Sequence, residues 1–263
     1  MLNTWLNSNE RIPCPYSQFK VTDVEQVSDL SPDTRSHLIS LLSTERFDPE
    51  LLKTMAQYLG RHQTKELIVK EQMPTNINTK RGDFGETLFN AILEQFHGYR
   101  IPVRKLRFKI TANQTLPGTD SLAFRIDDTG LITEVCFVES KLRTSQDNMA
   151  AVNGYKQLQN NYESELPAIL KFVAARLYDQ KDSLFEAFMS YLGDRNDTRV
   201  KDKFRLSLCW EHLEWNETVL ENLQDNGVAL PELTLHVIRI NNLRQITDEL
   251  FAELGATVVS DED

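Results

Sequence analysis

The stretch 118–143, GTDSLAFRIDDTGLITEVCFVESKLR, constrains this chain more than any other. Two segments of strand-like composition, 121–126 and 131–138, flank Asp127-Asp128-Thr129-Gly130, a tetrapeptide rich in turn formers. Folding about that turn brings Asp120 to within a residue or two of directly opposite Glu139. Side chains alternate along a strand, so Glu139 and Lys141 point to one face. Two carboxylates and an ammonium group therefore converge at one end of a hairpin. That grouping suits a divalent metal and an activated water.

Upstream, Arg81-Gly82-Asp83-Phe84-Gly85-Glu86 opens a predicted helix running to about His97. Leu88, Phe89, Ile92, Leu93 and Phe96 recur at helical spacing as a core stripe, with Glu86 on its edge. A buried carboxylate there needs a partner or a metal. The alternative is a first-turn glutamate favoured by the helix dipole, with Asp83 as the cap.

The rest of the chain supplies a scaffold. Residues 1–80 read as polar and irregular at first, then as helices over 35–42 and 49–59, the second opened by Asp48-Pro49. After the helix at Arg81 come strands over 101–110, 121–126 and 131–138. Helices are expected through Asn161 (with Met149, Val152, Tyr155 and Leu158 inward), over 168–178 and over 181–192. A charged loop over 194–202 precedes a strand over 204–210, a helix over 217–226, a strand over 233–240 and a helix over 243–254. Val258 and Val259 form a possible edge strand. This order predicts an α/β fold with a mixed central sheet flanked by helices over 81–263, preceded by an accessory or docking region (1–80) in which no catalytic constellation is found.

Composition narrows the function. No apolar run approaches the roughly 20 residues that span a bilayer, so no membrane role is expected. The first residues show no basic leader followed by an apolar core. Cys14, Cys136 and Cys209 are odd in number and widely spaced, which suits reduced thiols in a cytoplasmic protein rather than a zinc site. A net charge of −10 argues against a general nucleic-acid coat protein. Locally, Arg100, Arg104, Lys105, Arg107 and Lys109 form a basic run, with Lys141 and Arg143 at the hairpin's end. The run is either a lip for a phosphodiester or a strand face paired with acids elsewhere. His37, His62, His97, His212 and His236 lack metal-ligand spacing and read as structural or exposed. Neither a glycine-rich phosphate loop nor a nucleophile elbow occurs.

An acid, any residue, then lysine is a weak motif, met about once in a chain of this length by chance. Asp179-Gln180-Lys181 is such a match, in a helical region with no second acid. Glu139-Ser140-Lys141 differs because it ends a strand, faces an acid across a hairpin and follows a helix bearing a third acid. Gly85-Glu86, Gly118-Thr119-Asp120 and Glu139-Ser140-Lys141, in this order, resemble the PD-(D/E)xK restriction-like nuclease superfamily. Within it the chain most resembles the nuclease subunit of the Hachiman antiphage defence system, from about Arg81 to the last helix. The resemblance implies a restriction-endonuclease-like core and a Mg²⁺-dependent (or Mn²⁺-dependent) DNA nuclease. Asp120 and Glu139 would bind the metal, Glu86 would join its shell, and Lys141 would orient or deprotonate the attacking water. It also implies a helicase subunit as partner, docked on residues 1–80 or on the last helix unless these only cover the sheet. No homo-oligomer is expected. The first motif lacks the proline immediately before its aspartate, although Pro117 is near. The helix bearing Tyr155, Gln157 and Gln159 resembles the glutamine/tyrosine helix of exonuclease-like branches, but its spacing differs and it is left outside the site. Hard oxygen ligands of this kind select Mg²⁺ or Mn²⁺ over zinc.

Overall fold

The computed structural model describes residues 2–193 and 200–257. Most of the charged loop expected over 194–202, and the edge strand expected at Val258 and Val259, fall outside these residues.

The described residues build one six-stranded mixed sheet flanked on both faces by helices. The strands are β1 (Leu6–Glu10), β2 (Lys20–Gln26), β3 (Ser121–Ile126), β4 (Ile132–Arg143), β5 (Lys201–Glu211) and β6 (Leu233–Ile240). They lie in the order β1-β2-β6-β5-β4-β3. The four inner strands run parallel, while β1 and β3 close the edges antiparallel to their neighbours. Inner parallel strands are covered on both sides, and β6, LTLHVIRI, is accordingly buried along almost its whole length. The expected α/β class is the observed one, and the arrangement is consistent with a restriction-endonuclease-like core.

Helices α1 (Pro32–Arg46), α2 (Pro49–Leu59), α3 (Arg61–Gln72) and α4 (Ile77–His97) precede the hairpin. Five follow it: α5 (Ala150–Ser164), α6 (Leu166–Asp179), α7 (Phe185–Gly193), α8 (Thr218–Asn226) and α9 (Leu243–Thr257). One face of the sheet packs its apolar side chains with those of α5 to α8, through residues such as Phe137, Leu158, Phe188 and Leu220. The other face packs with α1, α4 and α9, through Val138, Leu42, Phe89 and Phe251.

Besides α3, which the sequence reading did not expect, three regions differ from the sequence expectation. β1 and β2, in the stretch read as polar and irregular, extend the sheet, and β2 pairs in parallel with β6 more than 200 residues away. No strand forms over 101–110. Arg100 exchanges both backbone hydrogen bonds with Phe124, but Pro102, two residues on, has no N–H to continue the ladder. The chain instead turns through Lys105–Phe108. Third, α4 starts at Ile77 rather than Arg81, because the Asn76 side chain accepts from the backbone N–H groups of Asn78 and Thr79.

Candidate functional site

The hairpin pairs as its alternation requires. Ser121 stands opposite Val138, so Asp120 stands opposite Glu139 one step beyond the end of β3. Asp127 closes the turn, its carboxylate accepting from the N–H groups of Thr129 and Leu131. At the other end, the Asp120 backbone N–H donates to Val138 O at 3.0 Å. The Asp120 side chain then replaces the lost ladder: its Oδ2 accepts from Ser140 N at 2.8 Å. The carboxylate is fixed by the same strand that carries Glu139 and Lys141.

Glu139 is buried, and its Oε1 accepts from Lys141 Nζ at 2.6 Å. Lys141 Nζ also donates to Gln157 Oε1 on α5 at 2.8 Å. Glu139 Oε2 has no hydrogen-bond partner among the described residues, and neither does Glu86 Oε1. Burial, and then the negative charge of Asp120, push the Glu139 carboxyl up to about 8 and the Glu86 carboxyl well above its ordinary range. These acids share a pocket of about 310 Å³ with Asp120, Lys141, Lys105 and Gln157.

Glu86 is not a first-turn residue. It lies more than two turns into α4, buried against the sheet, and Asp83 is no cap. Asp83 pairs with Arg46 of α1 and accepts from Lys109 Nζ at 2.5 Å. Burial first, and then the neighbouring Arg46, lower the Lys109 ammonium to about 8. The rest of the basic run is committed as well. Arg100 pairs with Asp182, Arg104 bridges Glu45 and Glu94, and Arg107 donates to Thr44 O. Lys105 Nζ donates to Gly118 O at 3.1 Å and Thr119 O at 2.7 Å, which secures the loop that delivers Asp120. The run is therefore bonded within the protein, though not as a strand face, and Lys105 and Lys109 still line the acidic pocket.

The four expected residues, Glu86, Asp120, Glu139 and Lys141, line one pocket. Asp179 does not: it sits at the outer end of α6, paired with Arg176 at 3.0 Å. Gln157, left outside on spacing, reaches Lys141 directly, whereas Tyr155 is structural, its hydroxyl accepting from the N–H groups of Ala229 and Leu230. Gln159 bonds only Glu163 among the described residues. Lys105 was part of the basic run and had no signal of its own.

Two bare carboxylate oxygens in a pocket of acids are the donor type that Mg²⁺ or Mn²⁺ takes. Among the described residues, however, no three His, Cys, Asp or Glu side chains are drawn together as a ready metal-holding group. A family model described as HamA matches residues 3–254 of the chain. No curated protein matches it.

Proposed function

This chain belongs to the HamA family and is thus a component of the Hachiman antiphage defence, and on that footing we propose that it is a DNA nuclease that hydrolyses phosphodiester bonds with Mg²⁺ or Mn²⁺. The observation that carries the reading is the buried Glu139–Lys141 pair beside Asp120 and Glu86, with oxygens of both glutamates left bare. Buried carboxylates that feel one another's charge resist ionising together, and a cation bound among them would relieve that.

Asp120 and Glu139 would hold the metal, and Glu86 would complete its surroundings. A divalent cation held by these residues would supply Lewis-acid chemistry to the phosphate and to the attacking water. Lys141, steadied by Gln157, keeps an ammonium beside the nucleophile's position. That placement suits orienting the water and stabilising negative charge as the bond breaks. Lys105 does no chemistry in this scheme: it fixes the two carbonyls before Asp120.

Control would come from a partner. Hachiman membership implies a partner complex, and a helicase is the partner we propose. The chain's net charge of −10 and the internal pairing of its basic run support weak capture of duplex DNA by this subunit alone. Of the two candidate docking surfaces, α9 buries Leu250, Phe251 and Leu254 against the body. By contrast, α2 has no fully buried residue, and Leu51, Tyr58, Leu59 and Leu67 of α2 and α3 are exposed. The α2–α3 pair is thus the better docking surface.

The second reading is a nuclease fold kept as a binding subunit without activity, favoured by the lack, among the described residues, of a ready three-acid metal group. Incubating the chain with DNA and Mg²⁺, alone and with its partner, separates the two. Cleavage that disappears on chelation supports the nuclease. Intact DNA under both conditions supports the binding subunit.

A further inference from the structure

A second cavity of about 310 Å³ adjoins the acidic pocket on the α6 side. Lys105, Leu116 and Asp120 line both, so the two share a wall. Beyond that wall the lining is mostly apolar, with Val103, Leu122, Ile169, Phe172 and Val173, joined by Glu165, Thr119 and Ser121. The Phe172 ring is held in place edge-to-face by Phe108, at a centroid distance of 5.4 Å, with the Arg176 guanidinium 5.5 Å from its centre. Of the polar atoms beside Asp120, Gly118 O and Thr119 O both accept from Lys105, whereas the buried Ser121 Oγ has no hydrogen-bond partner among the described residues. Nothing in the proposed hydrolysis uses this apolar space.

A phosphodiester in the acidic pocket carries a flat, weakly hydrated ring one sugar away. We propose that the apolar cavity receives the base of the nucleotide whose phosphate occupies the acidic pocket, an inference that rests on the nuclease reading. Walls this largely apolar, with one fixed aromatic ring, accept the face of any base, and Glu165, Thr119 and Ser121 are the polar side chains of the lining, beyond the shared wall, that could meet its edge. A base inside a duplex is stacked and cannot enter a walled cavity until it leaves the helix. The cavity therefore selects an unpaired nucleotide at the cleavage position, with apolar contact and stacking supplying most of the selection. It makes the nuclease a reader of strand opening rather than of sequence.

The test uses the full chain, its partner, Mg²⁺ and single-stranded oligonucleotides in which one abasic position is moved along the strand. Cleavage at the phosphate next to the abasic position should fall about 10-fold, the size of one base–aromatic stack. Phe172→Ala should slow the intact strand to a similar degree and erase its advantage over the abasic one. Ile169→Trp fills the cavity without removing a wall and should do the same, with thermal melting to show that each variant is folded. An abasic strand cut as fast as an intact one, or normal cleavage by folded Ile169→Trp, would overturn the proposal while leaving the nuclease reading standing. Were wild type to cut neither strand, the nuclease reading would fall. The cavity would then be decided by 2-aminopurine placed in the same strands: quenching on binding that Ile169→Trp abolishes supports it, and unchanged fluorescence rejects it.

Discussion

Gly154 of α5 lies against Lys141 of β4: a Cβ on Gly154 would stand 3.1 Å from Lys141 Cγ and 2.8 Å from Leu206 Cδ1. The glycine lets the helix settle close enough for Gln157, one turn on, to reach the Lys141 ammonium. Gly154→Ala should therefore act on chemistry as well as stability. Overpacking of this kind costs about 1–3 kcal/mol. We expect cleavage to fall further than the shift in urea midpoint explains, with wild-type-like rates counting against a positioning role.

Glu139→Ala and Lys141→Ala should each abolish or nearly abolish cleavage in a folded protein. Loss of the lysine is expected to cost on the order of 10²–10³ in rate, as for other donors that stabilise developing charge. Asp179→Ala, which breaks only a surface pair with Arg176, should leave the rate unchanged. The three variants assayed side by side decide between the two acid-x-lysine tripeptides. An inactive Asp179→Ala beside an active Glu139→Ala would reject the site.

Gln157→Ala should lower the rate by about 10- to 100-fold, the usual cost of removing a side chain that orients a working group. Gln157→Glu keeps an acceptor for Lys141 and should restore part of the loss. Equal rates for wild type and Gln157→Ala would return this glutamine to the bystander role its sequence spacing suggested.

Asp83 joins Arg46 and Lys109 in a buried triad that ties α1 and the turn after Lys105 to α4, one turn before Glu86. Asp83→Ala would leave two cations facing each other without a counter-charge. Breaking a buried pair from one side costs about 3–5 kcal/mol. A urea denaturation curve should show a loss of that size. A loss under 1 kcal/mol would mean that the triad is wetter than its burial indicates.

How much of this was legible follows from the range of each interaction. The hairpin and its register are written locally, in alternation and in a turn whose Asp127 bonds residues two and four places on. The grouping of Asp120, Glu139 and Lys141 followed from that register alone. β1 and β2 were not legible, since LNSNE and KVTDVEQ carry few apolar residues and β2 depends on pairing with β6. Asp83 looked like a cap because its partners, Arg46 and Lys109, lie 37 and 26 residues away. Gln157 was discounted on spacing, yet reach depends on where α5 crosses β4, and Gly154 sets that crossing.

Two histidines predict how the fold responds to acid. His236 of β6 is fully buried, with no hydrogen-bond partner on either ring nitrogen among the described residues, and its ring lies 5.0 Å from that of His97. Phe89 covers it from α4, and Arg205 on the neighbouring β5 adds a positive charge nearby. Burial first, and then Arg205 and Arg125, hold His97 down at about 4, while burial, and then His97 and Arg205, hold His236 well below its ordinary 6.5. In the unfolded chain both titrate near 6.5, so between there and about 4 the unfolded state binds more protons. The contribution of these two histidines to stability is thus fully present above pH 6.5 and is lost as pH falls through that window, at up to about 1.4 kcal/mol per pH unit for each proton taken up. His236→Phe keeps an aromatic ring against Phe89 and removes one titrating group. Urea midpoints between pH 7 and pH 5 should fall less steeply for this variant than for wild type. Parallel slopes would show that the buried imidazole contributes nothing to acid sensitivity.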